Sequence, residues 1–313
     1  MPSFLIIGCG SIGKRHCQNL LSLGQVVYIY DKEAEREQEL VDKYKVKVYD
    51  FKSHHIPIDC FVVATPPNYH IPFAFEALEH NSHIFIEKPL SHNLERVDEL
   101  LAKAESQKRL IQVGYQFRFH PGLRLAKKLI KEGKLGEIRS IRANFGSYLP
   151  NWHPEEDYRQ SYFCYKAQGG GIILDSSHEI DYVRWLANSE VKELGCSAKK
   201  VSDLEIETED TANIWLIFEN GVTANIHLDA VHKKYTRWCE VIGSQGDLLW
   251  DYHSHRLMMS TSFIPYSEKD MYLEEMRYWI SCIETGKQPE VNAKVGKKVL
   301  ELALMARKSA GVE

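Results

Sequence analysis

Hydrophobic and polar positions in the first part of the chain fall into short apolar runs separated by amphipathic stretches. Runs of strand length occupy residues 4–7, 26–30, 46–49, 60–64, 83–86 and 110–113. Between them, residues 14–23, 33–43, 71–80 and 94–106 repeat their apolar positions with helical spacing; Cys17, Leu20 and Leu21, for example, fall on one side of the first helix. Strand and helix in alternation predict an α/β fold with a doubly wound parallel sheet covered on both faces.

Beyond Phe119 the texture changes. A helix is predicted over 121–131, a turn at 133–136 and a long strand over 138–147, followed by a polar, aromatic stretch at 151–166. Gly169, Gly170 and Gly171 then open a helix predicted over 173–187. Strand-like segments follow at 191–201, 211–218, 222–229, 236–242 and 247–250, with Glu219-Asn220-Gly221 as a hairpin turn. Adjacent strands joined by turns predict an antiparallel or mixed sheet, hence an α+β second domain. Helices over 272–285 and 293–308 close the sequence. The expected division is a Rossmann domain at 1–120 and a second domain at 121–313, with the break near Phe119 to Gly122.

Composition narrows the class. The 313 residues suit two domains better than one. A formal net charge of −4 with scattered Lys and Arg gives no footprint for nucleic acid or an anionic membrane surface. The apolar runs are far too short to span a bilayer. Residues 1–7 have neither the basic start nor the long apolar run of a signal peptide, and the seven dispersed cysteines suit reduced core residues. A cytoplasmic protein is expected. His54-His55 and His253-x-His255 lack a third ligand at a useful spacing, so no metal is expected.

The chemistry begins at Gly8-Cys9-Gly10-Ser11-Ile12-Gly13, which matches G-x-G-x-x-G between an apolar strand and a helix. Gly8 permits the tight turn, Gly10 lets backbone approach a pyrophosphate, and Gly13 lets helix and strand pack closely. The N–H groups of Ser11, Ile12 and Gly13 at the helix start suit phosphate. Asp31 ends the second strand, about 20 residues on, where a carboxylate binds ribose hydroxyls and repels a 2′-phosphate. The plainer role is a turn residue capping the next helix. Asp31 points to NAD; the adjoining Lys32 leaves NADP possible. Thr65, Pro66, Asn68 and His70 follow the strand at 60–64, on the carboxyl edge where such sheets bind ligands. They suit a wall of the nicotinamide site or an ordinary strand-to-helix turn, with Asn68 as its cap. Glu87 and Lys88 end the next strand at the same edge, where an ammonium can meet a substrate hydroxyl and the cofactor. The ordinary fate of such a lysine is the surface.

Residues 8–16 as G-x-G-x-x-G-x-x-H, the segment 64–70, Glu87-Lys88-Pro89, and the segments 114–121 and 169–181 occur together and in order. In this the whole chain resembles the glucose–fructose oxidoreductase, inositol dehydrogenase and rhizopine catabolism family (Gfo/Idh/MocA). The resemblance implies a Rossmann domain followed by a substrate domain with an open, mostly antiparallel sheet. It implies homodimers or homotetramers acting on sugars, inositols or nucleotide-sugars. Lys88 corresponds to the family's E-K-P lysine, which assists catalysis and binds both cofactor and substrate. His178 and Asp175 correspond to the family's histidine and aspartate after the glycine run. Here they are spaced Asp-x-x-His, where the family pattern is D-x-x-x-H, so Asp175 corresponds less directly. On one helix, residues three apart share a face.

Tyr115, Gln116 and Arg118 leave the last Rossmann strand, and Asp157, Tyr158, Arg159, Tyr162 and Lys166 precede the glycine run. With His178 they are the candidate substrate contacts; a solvated loop is the bland alternative for those that precede the glycine run. The function expected is hydride transfer between nicotinamide and a secondary alcohol or ketone, with His178 as general base, Lys88 stabilising alkoxide charge and Asp175 orienting His178. Two other readings fit the same first domain: a reductase of an imine, enone or biliverdin-type substrate, and a catalytically silent dinucleotide-sensing regulator.

Overall fold

The computed structural model describes residues 1–52, 56–267 and 269–313; His54 and His55 lie outside the described residues. Two compact units divide the chain. The first takes residues 1–116 with 270–298, and the second takes 117–269 with 299–313.

In the first unit, β1 (Ser3–Ile7), β2 (Val26–Tyr30), β3 (Lys47–Val48), β4 (Cys60–Val63), β5 (His83–Glu87) and β6 (Ile111–Gly114) form one sheet. Its order is β3-β2-β1-β4-β5-β6, with every pairing parallel. The order reverses beside β1, so a crevice opens at the carboxyl ends of β1 and β4, the switch point of a doubly wound sheet. The helices between the strands are α1 (Ser11–Ser22), α2 (Ala34–Tyr44), α3 (His70–Glu79) and α4 (Val97–Ser106). Side chains alternate across the pleat. Phe4, Ile6, Val62 and Phe85 join Cys17 and Leu20 of α1 and Leu40 of α2 in one buried cluster.

The second unit begins with α5 (Pro121–Lys131) and β7 (Ile138–Gly146), then passes through short 3₁₀ turns to α6 (Ile172–Asp175) and α7 (His178–Ala187). Its sheet adds β8 (Val191–Lys199), β9 (Thr211–Phe218), β10 (Thr223–Asp229), β11 (Thr236–Gly243), β12 (Asp247–Asp251), β13 (Arg256–Met259) and β14 (Ser262–Ile264). The order is β14-β13-β12-β11-β7-β10-β9-β8. The β7–β10 pair is parallel and the others are antiparallel. One face is packed by α6 and α7 against β7, β9 and β10. Ala212, Ile214, Leu216 and Phe218 of β9 point into that core, while Trp215 between them is 44 % exposed on the other face.

Three features depart from the expected pattern. The helix α8 (Met271–Thr285) returns to the first unit, where Met276, Trp279 and Ile280 join the cluster on α1 and the Trp279 indole N–H donates to Cys60 Sγ at 3.3 Å. The last helix, α9 (Ala293–Ala310), is divided between the units at Lys298 and Val299. The helix expected over 173–187 is interrupted at Ser176 and Ser177, so Asp175 and His178 belong to different helices. Their shared helical face therefore has no basis.

His120 shows how burial links packing to pH in the second unit. It is the N-cap of α5, its Nδ1 accepting the Gly122 N–H at 3.1 Å. The rings of Trp250, Tyr252 and Tyr266 surround it at 5.0, 5.5 and 5.8 Å. Burial drops its pKa to about 4, with His255 adding repulsion. The unfolded chain takes up this proton near pH 6.5 and the folded one only near 4, so acidification through that window favours unfolding. The loss amounts to about 3 kcal/mol from this one group. His70 and His83, also lowered first by burial, act in the same direction. Denaturant titrations between pH 7 and pH 4.5 are expected to show stability falling as pH falls. His120→Asn keeps a capping side chain and removes the titration, so its stability should vary less with pH; an unchanged slope would contradict this account.

Candidate active site

On the carboxyl edge of the first sheet, the glycine loop is shaped by contacts that side chains would block. Gly8 has φ +97°, and a Cβ there would lie 2.6 Å from the Ala64 carbonyl oxygen. A Cβ on Gly13 would run into the Gly8 carbonyl, which is why α1 can sit so close to β1. At Gly10, by contrast, a Cβ would meet nothing nearer than Arg36 Nη1 at 3.9 Å. Its outer side has the room a pyrophosphate needs. Gly10 is also the N-cap of α1 and supplies no side-chain acceptor, so the helix start offers N–H groups and the positive dipole end to an anion.

Asp31 braces this loop. Its Oδ2 accepts the Cys9 N–H at 2.6 Å and its Oδ1 the Glu33 N–H at 2.9 Å. Glu33 is the N-cap of α2, so Asp31 is not itself the cap. Each carboxylate oxygen keeps a lone pair for a ribose hydroxyl. Glu37 Oε1 accepts the Asp31 N–H at 2.9 Å, and Arg36 Nε is held by Glu33 at 3.0 Å. A 2′-phosphate would meet the Asp31 carboxylate, which fits NAD better than NADP.

Thr65 and Asn68 form the opposite wall. Thr65 Oγ1 and Asn68 Oδ1 are buried without a hydrogen-bond partner among the described residues. Asn68 does not cap α3, whose N-cap is Tyr69. Two unmatched polar atoms beside Pro66, at the switch point, suit the amide and hydroxyl groups of a dinucleotide. These residues fit the group that the glycine loop implies.

Two residues of this edge differ from expectation. His70 is fully buried, with Nδ1 2.8 Å from the Pro89 carbonyl oxygen and Nε2 2.9 Å from that of Thr65. It ties the Thr65 loop to the Lys88–Pro89 turn instead of presenting its ring to a ligand. Burial holds its pKa below the ordinary value although both carbonyls oppose this. Glu87 is 7 % exposed; His16 Nε2 lies 2.6 Å from its Oε1, and its Oε2 accepts the Lys88 N–H at 3.2 Å. It is an internal brace, next to a half-buried Lys88. Tyr115, expected among the substrate contacts, has no exposed surface.

In the second unit the glycine run is explained by close packing. Gly171, at φ +99°, leaves room for the buried Glu209, whose Oε1 would lie 2.5 Å from a Cβ there and accepts the Ile173 N–H at 3.2 Å. The run thus delivers α6 and α7 to one place. His178 is 6 % exposed, and its ring meets the Phe117 ring edge-on at 5.1 Å. The Arg237 guanidinium lies over the Phe117 ring at 4.4 Å and over Phe145 at 4.1 Å. Arg237 Nε donates to Glu179 Oε1 at 2.8 Å, and Nη1 donates to the Tyr235 hydroxyl oxygen at 3.1 Å. Burial pushes the Glu179 carboxyl up while Arg237 pulls it back. The residue after His178 is thus anchored by a buried ion pair, and removing one partner of such a pair costs about 3–5 kcal/mol. Asp175 accepts a hydrogen bond from the Tyr162 hydroxyl.

Arg118 is also corrected. Its Nε and Nη2 donate to the two oxygens of Asp181 at 2.8 and 2.6 Å, and the side chain is 6 % exposed, so the guanidinium braces α7. Arg159 is exposed but shared between Asp157 and Glu205, and Tyr158 Oη accepts the Glu205 N–H at 3.3 Å. Lys166 is exposed, with Nζ 3.3 Å from the Glu313 carbonyl oxygen. Tyr162, expected among the residues that could recognise substrate, donates to Asp175; sequence reasoning missed Glu179 and Arg237. Glu179 adjoins His178, but nothing in the local pattern announces its partner on β11. Among the described residues, His153, Glu155 and Glu156 form an exposed group within 4.8 Å that nothing else marks as a metal site.

Comparison with known proteins agrees with this geometry. Residues 3–115 match the oxidoreductase family profile described as an NAD-binding Rossmann fold, and residues 123–249 match the GFO/IDH/MocA C-terminal domain. Myo-inositol 2-dehydrogenase of Thermotoga maritima is 27% identical, over 97% of this chain and 95% of that protein. UDP-N-acetylglucosamine 3-dehydrogenase of Acidithiobacillus ferrooxidans is 23% identical, over 96% and 95%. The crystal structure of GenD2 from gentamicin A biosynthesis in complex with NAD superposes with a TM-score of 0.86 at 19% identity, covering 99% of this chain and 94% of that one. No helix among the described residues is long and apolar enough to cross a membrane. The glycine loop on its parallel sheet and the mixed sheet that follows thus have one family context: the chain belongs to the Gfo/Idh/MocA family of NAD-binding oxidoreductases.

Proposed function

We propose that this enzyme catalyses reversible oxidation of a secondary alcohol on a sugar, inositol or nucleotide-sugar. Bound NAD supplies the hydride acceptor. The α1 N-terminus, Gly10 and Asp31 hold the dinucleotide, with Thr65, Pro66 and Asn68 along its wall. His178 takes the hydroxyl proton, and Lys88 stabilises the negative charge that develops on the same oxygen. Asp175, with Tyr162, orients the substrate or His178. The observation that carries the reading is the glycine loop with its open Gly10, its Asp31 brace and the unmatched Thr65 and Asn68 atoms beside it. The relatives named for inositol and UDP-N-acetylglucosamine support a polyhydroxylated substrate. Tyr158 and Lys166 remain the proposed outer contacts; Arg159 is withdrawn because two carboxylates already share it.

The test is a substrate panel of myo-inositol, scyllo-inositol and UDP-N-acetylglucosamine with NAD, following NADH formation, after mass spectrometry of any dinucleotide retained on purification. Oxidation of a panel member supports the reading. Reduction of imines or enones with NADPH and no alcohol oxidation, or tight NAD binding with no turnover, would overturn it.

We also propose a homodimer or homotetramer, in a cytoplasmic setting that keeps the free cysteines reduced. The open face of the second sheet supports this, since Trp215 and Trp238 lie there among Asn144, Asn213, Asn225 and His227. Light scattering should give a multiple of the chain mass, and Trp215→Glu should lower it; a monomeric wild type would contradict the assembly.

A further inference from the structure

The histidine of the G-x-G-x-x-G-x-x-H stretch has no part in the chemistry above, yet it is among the most enclosed polar groups in the first unit. His16 has no exposed surface, and Glu87, its partner, is 7 % exposed. Two oxygens of one carboxylate are assigned to separate tasks. Oε1 lies 2.6 Å from His16 Nε2, and Oε2 accepts the backbone N–H of Lys88. Gly114 faces Glu87 across the β5–β6 ladder, and a Cβ there would come within 3.1 Å of the carboxyl group. The glycine keeps that space for the carboxylate. The Phe85 ring meets the imidazole edge-on at 5.1 Å and the Tyr272 ring at 6.5 Å, fixing its plane.

His16 Nδ1 is buried without a hydrogen-bond partner among the described residues. A doubly protonated ring would bury a second N–H donor with no acceptor, a cost the singly protonated ring avoids. The surroundings therefore match a ring with its hydrogen on Nε2, donating to a carboxylate. A buried carboxylate needs such donors to stay in place, and here they are the imidazole and the peptide N–H of the lysine.

We propose that His16 and Glu87 are positioning residues for Lys88: the imidazole fixes the rotation of the Glu87 carboxylate, which in turn pins the peptide of Lys88. The proposal rests on the reading of Lys88 as the charge-stabilising lysine. It gives α1 a second task, since the helix whose N-terminus is proposed to receive the dinucleotide phosphates also carries the side chain that sets the lysine.

The test reads Lys88 directly. Trace acetylation of all lysines, quantified by mass spectrometry, is compared in the wild type, His16→Leu, His16→Gln and Glu87→Gln. Gln can place its amide N–H near the position of Nε2, whereas Leu offers no donor. In His16→Leu the labelling of Lys88 relative to the other lysines should change by about threefold or more, with His16→Gln returning toward the wild type. NADH affinity, read by fluorescence, should stay within about twofold in both. On a panel substrate, kcat of His16→Leu should fall by about 10-fold with KM little changed, as for loss of an interaction made in the transition state. Should His16→Leu not fold, Glu87→Gln carries the same expectation for Lys88 labelling. Unchanged Lys88 labelling in a folded His16→Leu or Glu87→Gln protein would overturn the proposal. Failure of the underlying reading looks different: Lys88→Met would turn over at the wild-type rate whatever the labelling shows.

Discussion

Replacing Lys88 by methionine is expected to lower kcat by about 10³-fold while leaving the affinity for NADH within a few-fold of the wild type. Methionine keeps the length and apolar stem of the side chain, so the turn at Pro89 and the buried Glu87 beside it are preserved. What disappears is the ammonium proposed to face the hydroxyl oxygen, which carries negative charge once His178 has taken its proton and until hydride leaves the carbon. A preorganised charge of this kind acts in the transition state more than in the ground state, so the loss falls on kcat and not on KM. NADH affinity is the control because the groups proposed to hold the dinucleotide, Gly10, the α1 N-terminus and Asp31, are untouched. A folded Lys88→Met protein with wild-type kcat would remove the lysine from the mechanism.

The second large effect belongs to His178. His178→Ala should lower kcat by about 10²–10⁴-fold, the range for losing a general base. The substitution leaves a gap beside Phe117, because the lost ring is the one that meets Phe117 at 5.1 Å. Free imidazole added to the assay should enter this gap and restore part of the rate. The ion pair between Arg237, whose guanidinium lies over Phe117, and Glu179, the residue next to His178, keeps α7 in place in the variant. A structural role alone would predict a lower melting temperature and no response to imidazole. That outcome would assign His178 to packing.

Much of the fold was readable because short-range pattern and long-range structure agree. The bounds expected for β2, α5 and β9 coincide with those observed. Each is set by local signals: β-branched alternation for the strands, and a proline at the start of α5. The glycine loop was readable because Gly8 and Gly13 answer steric demands of the backbone. The return of α8 to the first unit was not. An amphipathic helix states that one face is buried, but not which sheet buries it, and Trp279 finds β4 more than 200 residues away in sequence. β13 and β14 escaped notice because Arg256–Met259 and Ser262–Ile264, the last two strands at one end of the sheet, are short and have little alternation to read.

The site divides in the same way. Gly8, Gly10, Gly13 and Asp31 lie where their spacing put them. His70, Glu87, Tyr115 and Arg118 are polar residues at the right edge of the right elements, but their partners turn them inward. A sequence shows that a side chain can bond, not that His16, Thr65, Pro89 or Asp181 has already taken the bond. The buried Arg237–Glu179 pair joins residues 58 apart on different elements, and no local period encodes it. The break at Ser176 and Ser177 removed the helical argument for Asp175, whose hydroxyl partner Tyr162 comes from a 3₁₀ turn.

The central claim of the proposed function is that Lys88 and His178 act together in one hydride-transfer step. A double-mutant cycle on a panel substrate tests it most directly, with single-turnover rates of NADH formation in Lys88→Met, His178→Ala and the combined variant. Groups that act as a unit lose most of their contribution together, so the combined variant should be no more than a few-fold slower than the slower single one. Rate losses that multiply in full would show two independent contributions and contradict the account.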